Sequence, residues 1–312
     1  MDLVFCGTPQ FAVPTLEKLA ASGFRVRLVV TQPDRPRGRG QKPAASPVKQ
    51  RAQELGLSVI EPEAIKTNDA LRSQLESLKP AAIVIVGYGR IVPSWMLALA
   101  PLGNLNLHAS LLPKYRGAAP IQWAIANGET ATGVTTIRIN QGLDTGDILL
   151  QKEIAIAPDD TAVTLAPRLA AIGADLMVET LRGLEAGSIT PRPQDHSRAT
   201  LAPLLNKEDG RIDFARTAQE IANRLRGFQP WPGAFTTLHG KQLSMTAAKA
   251  IASGTSPIPP GVLSVEGERL LAGCGSATAL ELLELQPEGR KRMLARDFLH
   301  GYHPRSGERL GE

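Results

Sequence analysis

The first half of the chain alternates short, β-branched apolar runs with segments whose apolar residues recur at helical spacing. Short continuous apolar runs indicate strands that are buried on both faces, and their alternation with helices is typical of an open, mostly parallel sheet. The predicted strands are residues 3–6, 25–30, 81–86 and 105–107, and the predicted helices are residues 14–21, 48–55, 69–78 and 118–127. The pattern therefore predicts an α/β fold with helices on both faces of the sheet.

After Gly133 the pattern changes to strand-like runs at residues 134–139 and 148–154, joined by a turn rich in Gly and Asp. Two such runs across a short turn predict an antiparallel hairpin at one edge of the sheet. The next segment, residues 161–184, is rich in Ala and Leu and predicts a long helix with Thr161 as its N-cap. Pro167 lies inside this helix and predicts a kink or a later start.

Residues 186–206 lack periodicity and contain Gly, Pro, Ser, Thr and Asn, which is typical of a connecting segment. We place a domain boundary near residue 205, with a first domain over 1–189, a linker over 190–205 and a second domain over 206–312. The second domain begins with an amphipathic helix at 217–225 and continues with short strand-like runs separated by Gly and Pro. This texture predicts a small β-barrel.

The size and composition of the chain agree with two folded domains. Its 312 residues exceed the usual size of one hydrophobic core, and 43% hydrophobic with 21% charged residues is typical of globular proteins. No apolar run approaches the roughly 18 to 20 residues that a spanning helix needs, and the first residues continue directly into a strand. We therefore expect a cytoplasmic protein with no membrane partner.

Cysteine usage argues against two kinds of site. The chain has two cysteines, Cys6 and Cys274, which are too few for a disulfide framework. Neither lies in a cluster of Cys and His residues with the spacing of a zinc site. We expect two buried thiols and no metal.

Polar residues lie within and directly after the predicted strand at 105–107. Alternation along the chain puts Asn106, His108 and Ser110 on one face and the leucines between them on the other. An Asn amide can donate a hydrogen bond to a developing oxyanion, and an imidazole can exchange protons near neutral pH, so this row suits acyl-type transfer. A strand whose polar face is only solvated is the alternative.

A second polar segment, residues 142–147, contains two carboxylates and two glycines. Asp and Gly are ordinary turn residues, so a simple hairpin connection also explains it. Asp144 is a candidate catalytic residue because a carboxylate beside His108 would orient the ring and stabilise its protonated form. The spacing alone does not bring the two residues together.

Two stretches are dense in basic residues, in a chain whose formal charge is +5. One runs from Asp34 to Arg51 and contains Arg35, Arg37, Arg39 and Lys42, interleaved with Gly and Pro. The other contains Arg290, Lys291 and Arg292. Such clusters bind nucleic-acid phosphates through release of counterions, and solvated surface loops are the alternative for both.

Residues 106–122 together with 142–147 resemble the signature of the folate-dependent formyltransferases, through N-x-H, S-L-L-P, R-G and D-T-G-D. The resemblance implies a Rossmann-like formyltransferase domain followed by an OB-like barrel, with 10-formyltetrahydrofolate as formyl donor and no metal. The roles that it implies are catalysis by Asn106, His108 and Asp144, and folate binding by Ser110, Leu111, Leu112 and Pro113.

Residues 5–11, 31–40 and 228–234 resemble the members of this family that act on a transfer RNA. This resemblance implies transfer of the formyl group to the amino group of initiator methionyl-tRNA, with the second domain and the two basic stretches in contact with the RNA. We expect a monomer. The alternatives are a formyltransferase for a small-molecule amine, such as an amino-sugar nucleotide, and an RNA-binding protein without catalytic activity.

Overall fold

The computed structural model describes residues 1–37, 42–252 and 257–312. These residues form two compact units. The first comprises Met1–Pro120, Ala131–Ala155 and Ala166–Pro203, and the second comprises Ile121–Thr130, Ile156–Leu165 and Leu204–Glu312. The predicted division into two independently folding domains, with a linker at residues 190–205, stays a prediction.

The elements up to residue 203 follow the predicted alternation. The strands are β1 (Asp2–Gly7), β2 (Arg25–Val30), β3 (Arg35–Arg37), β4 (Lys42–Ala44), β5 (Val59–Ile60), β6 (Ala82–Val86), β7 (Asn104–His108), β8 (Arg116–Gly117), β9 (Ala131–Arg138), β10 (Ile148–Ala155) and β11 (Leu201–Ala202). The helices are α1 (Val13–Ala21), α2 (Pro47–Glu54), α3 (Asp69–Leu78), α4 (Ser94–Leu97), α5 (Pro120–Ala126) and α6 (Ala162–Glu185), and single 3₁₀ turns lie at Gln10–Ala12 and His196–Arg198.

The main sheet of the first unit has the strand order β10-β9-β7-β6-β1-β2-β5 in the described residues. The four pairs β5–β2, β2–β1, β1–β6 and β6–β7 are parallel, whereas β7–β9 and β9–β10 are antiparallel. Every residue of β6 is buried, as expected for a central strand that is covered on both faces. The mostly parallel α/β fold with an added antiparallel hairpin is confirmed.

Local sequence signals explain several helix ends. The side chain of Asn68 accepts a hydrogen bond from Leu71 N–H at 2.9 Å and caps α3, which ends where Lys79 adopts a left-handed φ of 45°. Helix α6 begins at Ala162 and contains Pro167, so the proline does not delay its start. Pro167 has no N–H to donate to the carbonyl of Val163, so the helix lacks one hydrogen bond near its start.

The second unit contains an antiparallel sheet. Its strands are β12 (Ala234–Leu238), β13 (Lys241–Ala252), β14 (Leu263–Glu266), β15 (Arg269–Cys274), β16 (Thr278–Pro287) and β17 (Met293–Leu294), in the order β12-β13-β16-β15-β14 with β17 on β16. A 3₁₀ turn at Lys207–Gly210 and two helices, α7 (Ala218–Gly227) and α8 (Ala295–Tyr302), complete the unit.

One buried cluster joins the sheet of the second unit to its two helices. Ile221 of α7 and Phe298 of α8 lie in the same cluster as Leu270 and Leu280 of the sheet. Within the described residues no pairing between β12 and β14 closes the sheet. OB-type barrels are themselves only partly closed, so the open edge is compatible with the expected architecture.

Candidate active site

Strand β7 carries two of the residues that the sequence selects. It lies between β6 and β9, and Asn106 pairs with Ile85 on one side and Ile137 on the other. Asn106 is half-buried, and its side chain has no hydrogen bond to any described residue. The Asn106 amide therefore has unused donors on a rigid strand.

The ring of His108 faces a hydrogen-bond acceptor at each nitrogen. Nε2 lies 2.8 Å from the carbonyl oxygen of Tyr115, and because a carbonyl only accepts, Nε2 is the donor. Nδ1 lies 3.6 Å from Oδ2 of Asp144. The ring is therefore held by the Tyr115 carbonyl at Nε2 and faces the Asp144 carboxylate at Nδ1.

Asp144 is held in a fixed orientation on its loop. Its Oδ2 accepts a hydrogen bond from the backbone N–H of Gly117 at 2.9 Å, and its backbone adopts a left-handed φ of 50°. Gly117 itself has a φ of 121°, and a Cβ there would stand 2.6 Å from the carbonyl oxygen of Ala202 in β11. A glycine is therefore needed where the chain presents its N–H to the Asp144 carboxylate.

Residues 110–113 are tied to the antiparallel edge of the sheet. Thr135 of β9 donates to the Ser110 carbonyl at 2.6 Å and accepts from Leu112 N–H at 3.2 Å. Gln151 of β10 donates to the Leu112 carbonyl at 2.8 Å. The segment thus has a conformation fixed by its neighbours.

The side chains of this segment differ in what they offer to a ligand. Ser110 is fully buried, and its hydroxyl donates to the Lys114 carbonyl at 2.7 Å. Leu112 is also buried, while Leu111 and Pro113 are half-buried. The exposed surface of the segment comes from Leu111 and Pro113, whereas Ser110 shapes the turn.

Comparison with known proteins covers the whole chain. A family model described as formyl transferase matches residues 1–181, and one described as formyl transferase, C-terminal domain, matches residues 204–303. The chain is 62% identical over 311 residues to a methionyl-tRNA formyltransferase of Koribacter versatilis, covering 100% of this chain and 99% of that protein. It is 60% identical to the methionyl-tRNA formyltransferase of Acidobacterium capsulatum, covering 100% of both. This chain belongs to the methionyl-tRNA formyltransferase family.

Solved structures agree with this family assignment at the level of the fold. An N-formyltransferase from Helicobacter canadensis, in complex with folinic acid and dTDP-3-aminofucose, matches with a TM-score of 0.68 and 21% identity. The match covers 91% of this chain and 98% of that one. At this identity the likeness establishes a shared architecture and nothing about the acceptor.

The basic residues that suggest tRNA contact in this family member lie on two separate features. Arg35, Arg37 and Lys42 belong to the hairpin of β3 and β4, where Arg37 pairs with Lys42, and Arg39 lies outside the described residues. The second set is exposed at the turn between β16 and β17 and consists of Arg290, Lys291 and Arg292. Arg292 also makes an ion pair of 3.4 Å with Glu284.

Two further basic residues near the hairpin are neutralised by local acids. Lys49 Nζ lies 2.7 Å from carboxylate oxygens of both Asp34 and Glu61. The hydrogen bond from Lys49 lowers the pKa of Asp34, and the same contact raises the pKa of Lys49. Arg51 pairs in the same way with two glutamates. Lys49 and Arg51 are therefore both paired with carboxylates of the described residues.

Sequence analysis did not identify several residues that shape the site. They are Tyr115 and Gly117, Thr135 and Gln194. Tyr115 and Gly117 lie within the family signature but contribute backbone groups, which side-chain patterns do not indicate. Gln194 lies in the predicted linker, where no periodicity marks a buried residue.

Neither cysteine belongs to the site. Burial raises the pKa of Cys6 to about 12 and that of Cys274 to about 11, which agrees with the predicted buried thiols. Within the described part of the chain, no group of three or more His, Cys, Asp or Glu residues could hold a metal ion. The helices of that same part are too short or too polar to cross a membrane.

Proposed function

We propose that this chain transfers a formyl group from 10-formyltetrahydrofolate to the amino group of initiator methionyl-tRNA. The choice of acceptor rests on the full-length match, at 62% identity, to a relative named methionyl-tRNA formyltransferase. The chemistry is supported by the short distance between His108 and Asp144, next to the unused amide of Asn106. No comparable observation favours a small-molecule amine.

The reaction needs a donor for a developing oxyanion. The neutral methionyl amine attacks the formyl carbon, a carbon–nitrogen bond forms, and the carbonyl electron pair moves to oxygen. The amide of Asn106 is available to donate to this oxygen, since no described residue uses it. Collapse of the intermediate then breaks the bond between the formyl carbon and the folate nitrogen, which takes up a proton.

His108 contributes as an imidazolium ion in this proposal. Its Nε2–H is engaged by the Tyr115 carbonyl, so His108 reaches the oxyanion by exchanging that carbonyl for the formyl oxygen. Asp144 faces the other ring nitrogen and balances the positive charge. The proton released by the attacking amine passes to Asp144, to a water molecule, or to His108 once its imidazolium has given a proton to the departing folate nitrogen.

The two substrates use different parts of the chain. For the folate we assign the segment Ser110, Leu111, Leu112 and Pro113, with apolar contact from Leu111 and Pro113 and a structural role for Ser110. For the tRNA we assign two basic groups, listed by position as Arg35, Arg37, Arg39, Lys42, Arg290, Lys291 and Arg292. We further propose a monomer that acts in the cytoplasm, where initiator tRNA is used.

The decisive experiment measures transfer of labelled formyl from 10-formyltetrahydrofolate to initiator methionyl-tRNA. Free methionine, uncharged tRNA and an amino-sugar nucleotide serve as competing acceptors, at low and high salt. Formylation of charged tRNA alone, weakening as salt rises, is the expected result, because phosphate contacts release counterions. Transfer to the amino-sugar nucleotide instead would replace the proposed acceptor, and RNA binding without any transfer would indicate a non-catalytic protein.

A further inference from the structure

Gln194 is a buried polar residue whose position no feature of the sequence anticipates. It lies within residues 190–205 and is only 6% exposed. Its Nε2 donates to the backbone carbonyls of Asp144, at 2.8 Å, and Gly146, at 2.7 Å. Its Oε1 accepts from Arg116 Nη2 at 2.6 Å and from Nε at 3.1 Å. Every hydrogen-bonding position of the Gln194 amide is therefore used.

The orientation of this amide is fixed by the chemistry of its neighbours. Arginine has only donors, so it can face only the oxygen of Gln194, and carbonyls only accept, so they can face only the nitrogen. Arg116 is buried and also donates to Nδ1 of His196 at 3.1 Å. The guanidinium thus sets the direction in which Gln194 presents its two N–H groups.

The two carbonyls that Gln194 binds belong to the turn that presents Asp144. Asp144 has a positive φ, which residues other than glycine adopt at a cost of about 1 kcal/mol or more. Gly117 N–H binds the carboxylate of Asp144, and Gln194 binds the backbone carbonyl of the same residue. Without the Gln194 donors, the carbonyls of Asp144 and Gly146 lose a partner and the turn can relax to a different backbone conformation.

We propose that Gln194 is a positioning residue that holds the Asp144 turn against His108, with Arg116 setting its orientation. The inference rests on the proposed catalytic role of Asp144. Among the described residues, the hydrogen bonds of Gln194 go to Arg116, Asp144 and Gly146 and not to His108, so its effect passes through the Asp144 backbone. Rate is sensitive to such displacement, because a shift of about 1 Å in a reacting group can cost about 100-fold.

The first test compares Gln194→Met with Gln74→Met. Both variants make the same substitution, but Gln74 is an exposed residue of α3 to which we assign no role. We expect Gln194→Met to lower kcat about 10- to 100-fold, with KM for the folate and Kd for the tRNA changed less than about twofold. Gln74→Met is expected to retain normal kcat.

A second variant separates the two halves of the amide. Gln194→Glu keeps an acceptor for Arg116 but replaces both donors with oxygen, which repels the two carbonyls. We expect it to be as impaired as Gln194→Met. Normal kcat in Gln194→Glu would show that the contact with Arg116 suffices and would overturn the proposal. Should Gln194→Met not fold, Gln194→Glu carries the same test.

A double-mutant cycle with Asp144→Asn distinguishes positioning from general stabilisation. If Gln194 acts through Asp144, adding Gln194→Met to Asp144→Asn lowers kcat by less than about threefold. Multiplicative losses would overturn the proposal. Failure of the proposed function has a different signature, because the unmodified protein would then not formylate initiator methionyl-tRNA. An impaired Asp144→Asn with a normal Gln194→Met removes only the present inference.

Discussion

Replacing Asp144 by Asn tests the proposed chemistry with a small change in shape. The asparagine side chain retains an oxygen that can accept the 2.9 Å hydrogen bond from Gly117 N–H. The negative charge 3.6 Å from His108 Nδ1 is removed. The turn should therefore persist while the carboxylate partner of His108 is lost.

The size of the effect follows from the distance and the burial of the two groups. Two unit charges 3.6 Å apart interact by about 5 kcal/mol at an effective dielectric constant near 20, and by about 1 kcal/mol in bulk water. The side chains are 6% and 17% exposed, so the contact lies between these limits. A loss of about 3 kcal/mol corresponds to a fall in kcat of roughly 100-fold.

The assay is single-turnover transfer of labelled formyl, with folate and tRNA binding measured separately. Asp147→Asn is the matched control, because it removes the same charge from the same turn at a residue that we assign no role. We expect Asp147→Asn to stay within about threefold of the unmodified protein. Equal losses in both variants, or no loss in Asp144→Asn, would refute the role of Asp144 as partner of His108.

Four further predictions concern stability, reactivity and activity. Thr217 and Glu220 form a capping box at α7, so Thr217→Ala should lower the free energy of unfolding by about 1 kcal/mol in denaturant titrations, and no change would contradict the box. Hydrogen bonds from Thr217 lower the pKa of Glu220 below its ordinary 4.5. The stabilisation by ionised Glu220 is therefore complete above pH 4.5 and is lost as pH falls through the folded-state pKa. The difference in melting temperature between the unmodified protein and Thr217→Ala should shrink over that pH range. Cys6 and Cys274 should resist a thiol reagent at neutral pH until the protein unfolds, and rapid labelling of native protein would contradict their burial. Gly117→Ala should lower both the melting temperature and kcat, because the new methyl group meets the β11 carbonyl beside the Asp144 contact, and an unchanged kcat would show that this contact is dispensable.

The sequence determined most strands of the main sheet, because burial leaves a local pattern, but it did not indicate the two-residue strand β5. A strand such as β6 is apolar along its whole length, and its signal is complete within five residues. The hairpin of β9 and β10 has the same property, since both strands and the turn are contiguous in the chain. The residue types at Asn106, His108 and Asp144 also indicated their chemistry before any geometry was known.

Only the tertiary structure decided what surrounds those residues. Gln194 bonds to a backbone 50 residues away, and Tyr115 and Gly117 act through a carbonyl and an N–H that every sequence contains. The same holds for Lys49, which makes ion pairs with Asp34 and Glu61 that the run of basic residues does not indicate. Periodicity records which side of an element is buried, but a hydrogen bond between distant segments depends on how the chain packs. The residues that we propose for catalysis could therefore be selected from the sequence, whereas the contacts that fix their positions could not.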